Sequence, residues 1–72
     1  MATVGTVTRV NNGKKPYMAW LEIPNEPLKA LGQFGQPGDA KKAIENAKNQ
    51  RLRWIEVALP GNVVQFVGDD GT

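Results

Sequence analysis

The sequence predicts an α+β domain: a mainly antiparallel sheet of four to five strands, in the order ββ(β)αββ, with one helix packed on one face. Three observations carry this. Trp20-Leu21-Glu22-Ile23 and Trp54-Ile55-Glu56-Val57 repeat one text of aromatic, aliphatic, acid, aliphatic. A Val/Thr-rich run from Thr3 to Val10 leads into Asn12-Gly13, a strong hairpin signal. Between the two Trp segments, Ala40, Ala43, Ile44 and Ala47 fall at the spacing of one helical face.

Each element follows from local chemistry. Val and Thr favour the first strand, Thr3 to Val10. With Asn12 and Gly13 as a two-residue turn, Pro16 to Ile23 returns so that Val4 faces Leu21 and Thr6 faces Ala19. On the other face this register sets Gly5 opposite Trp20 and Val7 opposite Met18, and the glycine leaves room for the indole. Pro24-Asn25-Glu26-Pro27 stops the strand. Leu28 to Phe34 reads as a short third strand in preference to one helical turn. After the loop Gly35-Gln36-Pro37-Gly38, Asp39 is placed to cap the helix. The helix's small alanines let it lie close to a sheet. Its lysines at 41 and 42 oppose the helix dipole, so surface chemistry, not helix stability, accounts for them. Arg51 to Leu59 and Val63 to Val67 are the last strands, joined through Pro60-Gly61-Asn62 by something longer than a tight turn, and residues 68–72 read as a frayed acidic tail. The expected core is Val4, Leu21, Ile23, Ile44, Ile55, Val57 and Leu59.

Composition narrows function. Seventy-two residues make a single domain, 1–72, with a thin core. There is no cysteine and no histidine, which removes disulfides, Cys- or His-ligated zinc and Cys/His nucleophile pairs. No apolar run reaches membrane-spanning length, and the expectation is a soluble cytoplasmic protein with no cofactor. Residues 1–53 hold all nine Lys/Arg against four acids, a balance of +5, whereas residues 54–72 hold three acids and no base. The basic part suits an anionic partner, or is ordinary solvated surface.

The catalytic inventory is thin. Glu22 and Glu56 are the only carboxylates expected to share a surface, and glutamates so placed more often complete cross-strand pairs than perform acid–base work. Gly32, Gly35 and Gly38 lack the Gly-Lys-Ser/Thr ending of a phosphate loop. The chain reads as a non-enzyme. The aromatic strand faces carry more weight. Arg9, Met18, Trp20 and Trp54 are expected on one face, extended by Lys14 and Lys15 past the hairpin tip, with Arg53 flanking at an edge. Aromatics stack on bases and Arg adds cation–π and phosphate contacts. Glu22 and Glu56 on that face oppose phosphate. The face could instead be covered by a curling chain, by the loop at 24–38, or by another protein.

Gly5, Arg9, Gly13-Lys14, Trp20, Leu31-Gly32-x-Phe34 and an Ala-rich helix from Ala40 together resemble the AP2/integrase-arm type of DNA-binding domain, over residues 5–49. The resemblance implies a three-stranded sheet on one helix, laid in the major groove, with Arg9, Lys14 and Trp20 meeting DNA and Leu31, Phe34, Ala43 and Ala47 in the core. The sheet here is poorer in Arg than that family's, Met18 and Glu22 take exposed-face positions, and two strands follow the helix. Five strands with a helix before the last two also resemble an OB-fold, whose partial or full barrel closure would bury the tryptophans. The leading expectation is a small nucleic-acid-binding protein, DNA before RNA, acting through Arg9, Lys14, Lys15, Met18, Trp20, Arg53 and Trp54. The alternative is a protein-interaction module, a homodimer or a small inhibitor of a larger protein, using the Trp/Met face.

Overall fold

A computed structural model describes residues 3–10, 13–60 and 63–70. Its elements are β1 (Thr3–Arg9), β2 (Tyr17–Leu21), β3 (Lys29–Phe34), α1 (Pro37–Lys48), β4 (Arg53–Leu59) and β5 (Val63–Asp69). The strands form one antiparallel sheet in the spatial order β3-β2-β1-β5-β4. The fold class and element order are those expected, and the third strand is a strand. The edges β3 and β4 do not pair, so the sheet is open and the barrel alternative is set aside.

The helix lies on one face, against β1, β2 and β3. Its two buried residues, Ala40 and Ile44, meet Val7, Ala19 and Leu21 from the central strands, and Val4 joins this cluster. Small residues make the close approach possible. Ala19 and Ala40 have no side chain beyond Cβ, and a Cβ added at Gly5 would stand 2.5 Å from Ile44 Cγ2. Two irregularities adjust the strands. A register shift between Thr3 and Gly5 makes Val4 an extra residue on β1, which lets it turn toward the core. A second shift, at Ala19/Trp20 against β3, falls at Gly32, whose φ of 142 suits only glycine.

The β1–β2 register differs from expectation by one residue. Gly5 faces Leu21, Thr6 faces Trp20 and Thr8 faces Met18. The cause is the connection. A backbone bond at the hairpin end runs from Val10 N–H to Pro16 O (2.6 Å), so Val10 stands opposite Pro16 and not Lys15, one residue off the register of a two-residue turn. Gly13 has φ 56, as a turn glycine should, while Asn12 lies outside the described residues. At the other end, Pro24 and Asn25 are the centre of a turn closed by Glu26 N–H to Ile23 O (3.1 Å), with Asn25 at φ 65.

The helix starts earlier than Asp39. Gln36 holds the cap position and Pro37 opens the helix, leaving Asp39 as the acid of the first turn, where its charge favours the dipole. It ends at Asn49, left-handed at φ 55, with Asn49 N–H donating to Asn46 O (3.2 Å) and Gln50 N–H to Glu45 O (3.1 Å). The acidic tail is also corrected: Gly68 and Asp69 are buried residues of β5, because the strand runs on beside β1 and β4. Residues 71–72 lie outside the described residues.

Candidate functional site

Side chains of paired residues point to the same side of a sheet, so the registers sort every strand residue by face. One row reads Ala30–Trp20–Thr6–Val67–Ile55 from β3 to β4. The next reads Gln33–Met18–Thr8–Gln65–Val57. Both lie opposite the helix, on a face that no described element covers. The alternate row runs Leu21–Gly5–Gly68–Trp54, on the helix side.

The two tryptophans therefore occupy opposite faces, which overturns the shared aromatic surface. Trp54 is structural. Its ring crosses Gly68, where an added Cβ would come within 2.8 Å of the indole, and its Nε1 donates to Glu45 Oε2 of the helix (3.2 Å). The same oxygen accepts Leu52 N–H at 3.0 Å. Lys41 Nζ lies 4.0 Å from the Phe66 ring centroid and 5.8 Å from that of Trp54. With the helix opening at Pro37, Lys41 lies past its first turn and has a packing role: its cation sits over two aromatic rings that the helix leaves partly open. A glycine does make room for a tryptophan, as expected, but the pair is Gly68 and Trp54 and not Gly5 and Trp20.

Trp20 is half-buried on the open face, where its Nε1 donates to Thr8 Oγ1 (2.9 Å). Thr6 Oγ1 donates to Glu22 Oε1 (3.3 Å) beside it. The first of these bonds ties the indole of β2 to β1. Ile55, Val57 and Leu59 share this face at 42%, 37% and 38% exposure. They are not core. The repeated Trp-x-Glu-x text hid this, because β4 turns its tryptophan inward where β2 turns its own outward. Arg53 follows Ile55 in parity and joins the open face. Glu56 follows Trp54, so the Glu22/Glu56 pair does not exist.

The other expected site residues scatter. Arg9 is exposed but pairs with Tyr17 in the helix-side row, apart from Met18 and Trp20. Lys14 and Lys15 are exposed at the hairpin end. Of the core residues implied by the AP2 resemblance, Leu31 and Phe34 pack against the core, Ala43 is half-buried and Ala47 is exposed. The residues that sequence reasoning missed on the open face are Thr6, Thr8, Val67, Ile55, Val57 and Leu59. Their available signal was the alternation of Ile, Val and Leu with Trp, Glu and Ala along β4, whose inward side only Gly68 could reveal.

A polar groove beside the helix C-terminus, lined by residues including Lys42, Glu45 and Arg51, offers no separate chemistry, since Glu45 already accepts two hydrogen bonds. Among the described residues, no group of three or more metal-ligating side chains comes together, and no helix is long and apolar enough to cross a membrane. No protein family, curated protein or solved structure matches this chain.

Proposed function

We propose that this protein is a non-enzymatic protein-interaction domain, docking a protein partner on the sheet face opposite the helix. The observation that supports this best is the row of Ile55, Val57 and Leu59 exposed on edge strand β4 and continuous through Val67 with Trp20 and Met18. Indole, thioether and branched aliphatic side chains are favoured at the centres of protein interfaces. On this face Glu22 and Arg53 offset each other, and Asp69, of the same parity as Arg53, is 4% exposed. That balance offers phosphate no net attraction. The cations Arg9 and Lys41 belong to the opposite side of the sheet, away from Trp20.

The test is an amide NMR titration with a short DNA duplex and with a single strand, at low and moderate salt. The expected result is no saturable shift at Trp20, Val67, Ile55 or Val57. Saturable, salt-sensitive shifts centred on Lys14, Lys15, Met18 and Trp20 would replace the proposal with the nucleic-acid reading.

A further inference from the structure

We infer that the occupant of the open face is a second copy of this chain, seated face to face about a twofold axis that runs along the strands between β1 and β5. This inference rests on the docking-face reading above and adds the partner and its register.

The strand order β3-β2-β1-β5-β4 decides what such an axis brings together. Rotation about a line between β1 and β5 exchanges those two strands, and it exchanges β2 with β4. Rows are preserved, because the axis runs along the strands. Trp20 of one copy then lies over Ile55 of the other, since both stand in the row of Thr6 and Val67. Met18 lies over Val57, both in the row of Thr8 and Gln65. Each contact occurs twice, as an isologous interface requires.

Charge selects the same arrangement. Glu22 follows Trp20 along β2, and Arg53 precedes Ile55 on the antiparallel route along β4, so both sit one row beyond the apolar pairs at the same end of the sheet. The axis sets Glu22 of each copy opposite Arg53 of the other, giving two opposite-charge pairs at the rim of an apolar centre. Apart from Asp69, which lies buried beside Arg53 at 4% exposure, the face carries an acid on one side of its midline and a base on the other, at matching height, and so complements itself. Sliding the axis by one strand toward β2 destroys this match and sets Glu22 over β1.

Area sets the strength. Three of the four overlapping strands have seven residues, about 24 Å, and β2 has five, about 17 Å; at about 4.8 Å per strand the overlapping patch is about 430 Å² in projection on each copy. Both copies together bury on the order of 1,000 Å², the lower end for specific interfaces, which corresponds to a concentration-dependent dimer and not an obligate one. Sheets packed in this way stand about 10 Å apart, within reach of paired Glu and Arg side chains.

Sedimentation equilibrium of the full chain across micromolar to millimolar concentration tests this. The mass should rise from 7.8 kDa toward twice that value. Glu22→Arg or Arg53→Glu alone sets like charges opposite each other and should raise the dimer dissociation constant about tenfold. The double variant E22R/R53E restores opposite charges and should return to within about threefold of the parent, a recovery that damage to the monomer would not produce. Circular dichroism of each variant checks that it folds. A chain that stays monomeric at millimolar concentration overturns the second-copy inference. So does a dimer that is indifferent to the single reversals or is not restored by the double one. Neither result touches the docking-face reading, which falls only if DNA shifts the open-face amides in the titration described above.

Discussion

Replacing Gly5 with alanine probes the closest approach in the molecule. The new Cβ would stand 2.5 Å from Ile44 Cγ2, 3.0 Å from Ile44 Cδ1 and 3.0 Å from the Trp20 carbonyl oxygen. Carbon atoms rest at about 3.5–4.0 Å, so the site is short by about 1 Å. Ile44 is fully buried and cannot swing into solvent, and β2 is held by the ladder on both sides. The helix must lift. Overpacking of this kind costs about 1–3 kcal/mol, and the lower entropy of the unfolded alanine chain offsets about 0.4–1 kcal/mol of it. A net loss of about 1–2 kcal/mol lowers Tm by about 4–16 °C in a domain of this length. Thermal and urea unfolding followed by circular dichroism reads this directly. A double-mutant cycle with Ile44→Ala identifies the cause: the truncation relieves the clash, so the combined loss should fall short of the sum of the single losses by about 0.5–2 kcal/mol. A Gly5→Ala variant as stable as the parent, or strictly additive with Ile44→Ala, would refute the packing argument.

Two further changes are expected to act locally. Glu45→Ala strips the acceptor from Leu52 N–H and Trp54 Nε1 and should destabilise the fold by about 1–3 kcal/mol, with a red shift of tryptophan emission, whereas Glu45→Gln keeps an acceptor oxygen and should lose less; equal losses in chemical denaturation would show that these bonds do not matter. Asn49→Gly relieves a left-handed residue at the helix end and should leave stability unchanged or raise it by up to about 1 kcal/mol; a clear loss in the same assay would mean that the asparagine side chain contributes something beyond its backbone angle.

Legibility followed the range of the interactions. Half of the helix stripe was readable from spacing alone: Ala40 and Ile44 are buried, while Ala43 is half-buried and Ala47 exposed. The start of the helix was misread by a few residues because Pro37 at the first position competes with Asp39 as a boundary signal. The hairpin was misread by one residue because Val10 bonds to Pro16 and not to Lys15, and one residue of register exchanges the two faces of a strand pair. That slip moved Arg9 and Gly5 to the helix side. The face of β4 was misread for a different reason: its local text matches β2, and nothing within it says which side meets the helix.

By itself the sequence determined the class, the order of the elements with four or five strands, the Ala40 and Ile44 side of the helix, and the absence of thiol and imidazole chemistry, since each depends on residue type or on spacing within one segment. Tertiary structure alone decided that Trp54 lies under Lys41 and across Gly68 while Trp20 lies on the uncovered side. The reason is that a strand's alternation fixes two faces without labelling them; the label comes from what a distant segment places against it. Gly68 offered the space for one indole, and Thr8 offered the hydrogen bond for the other.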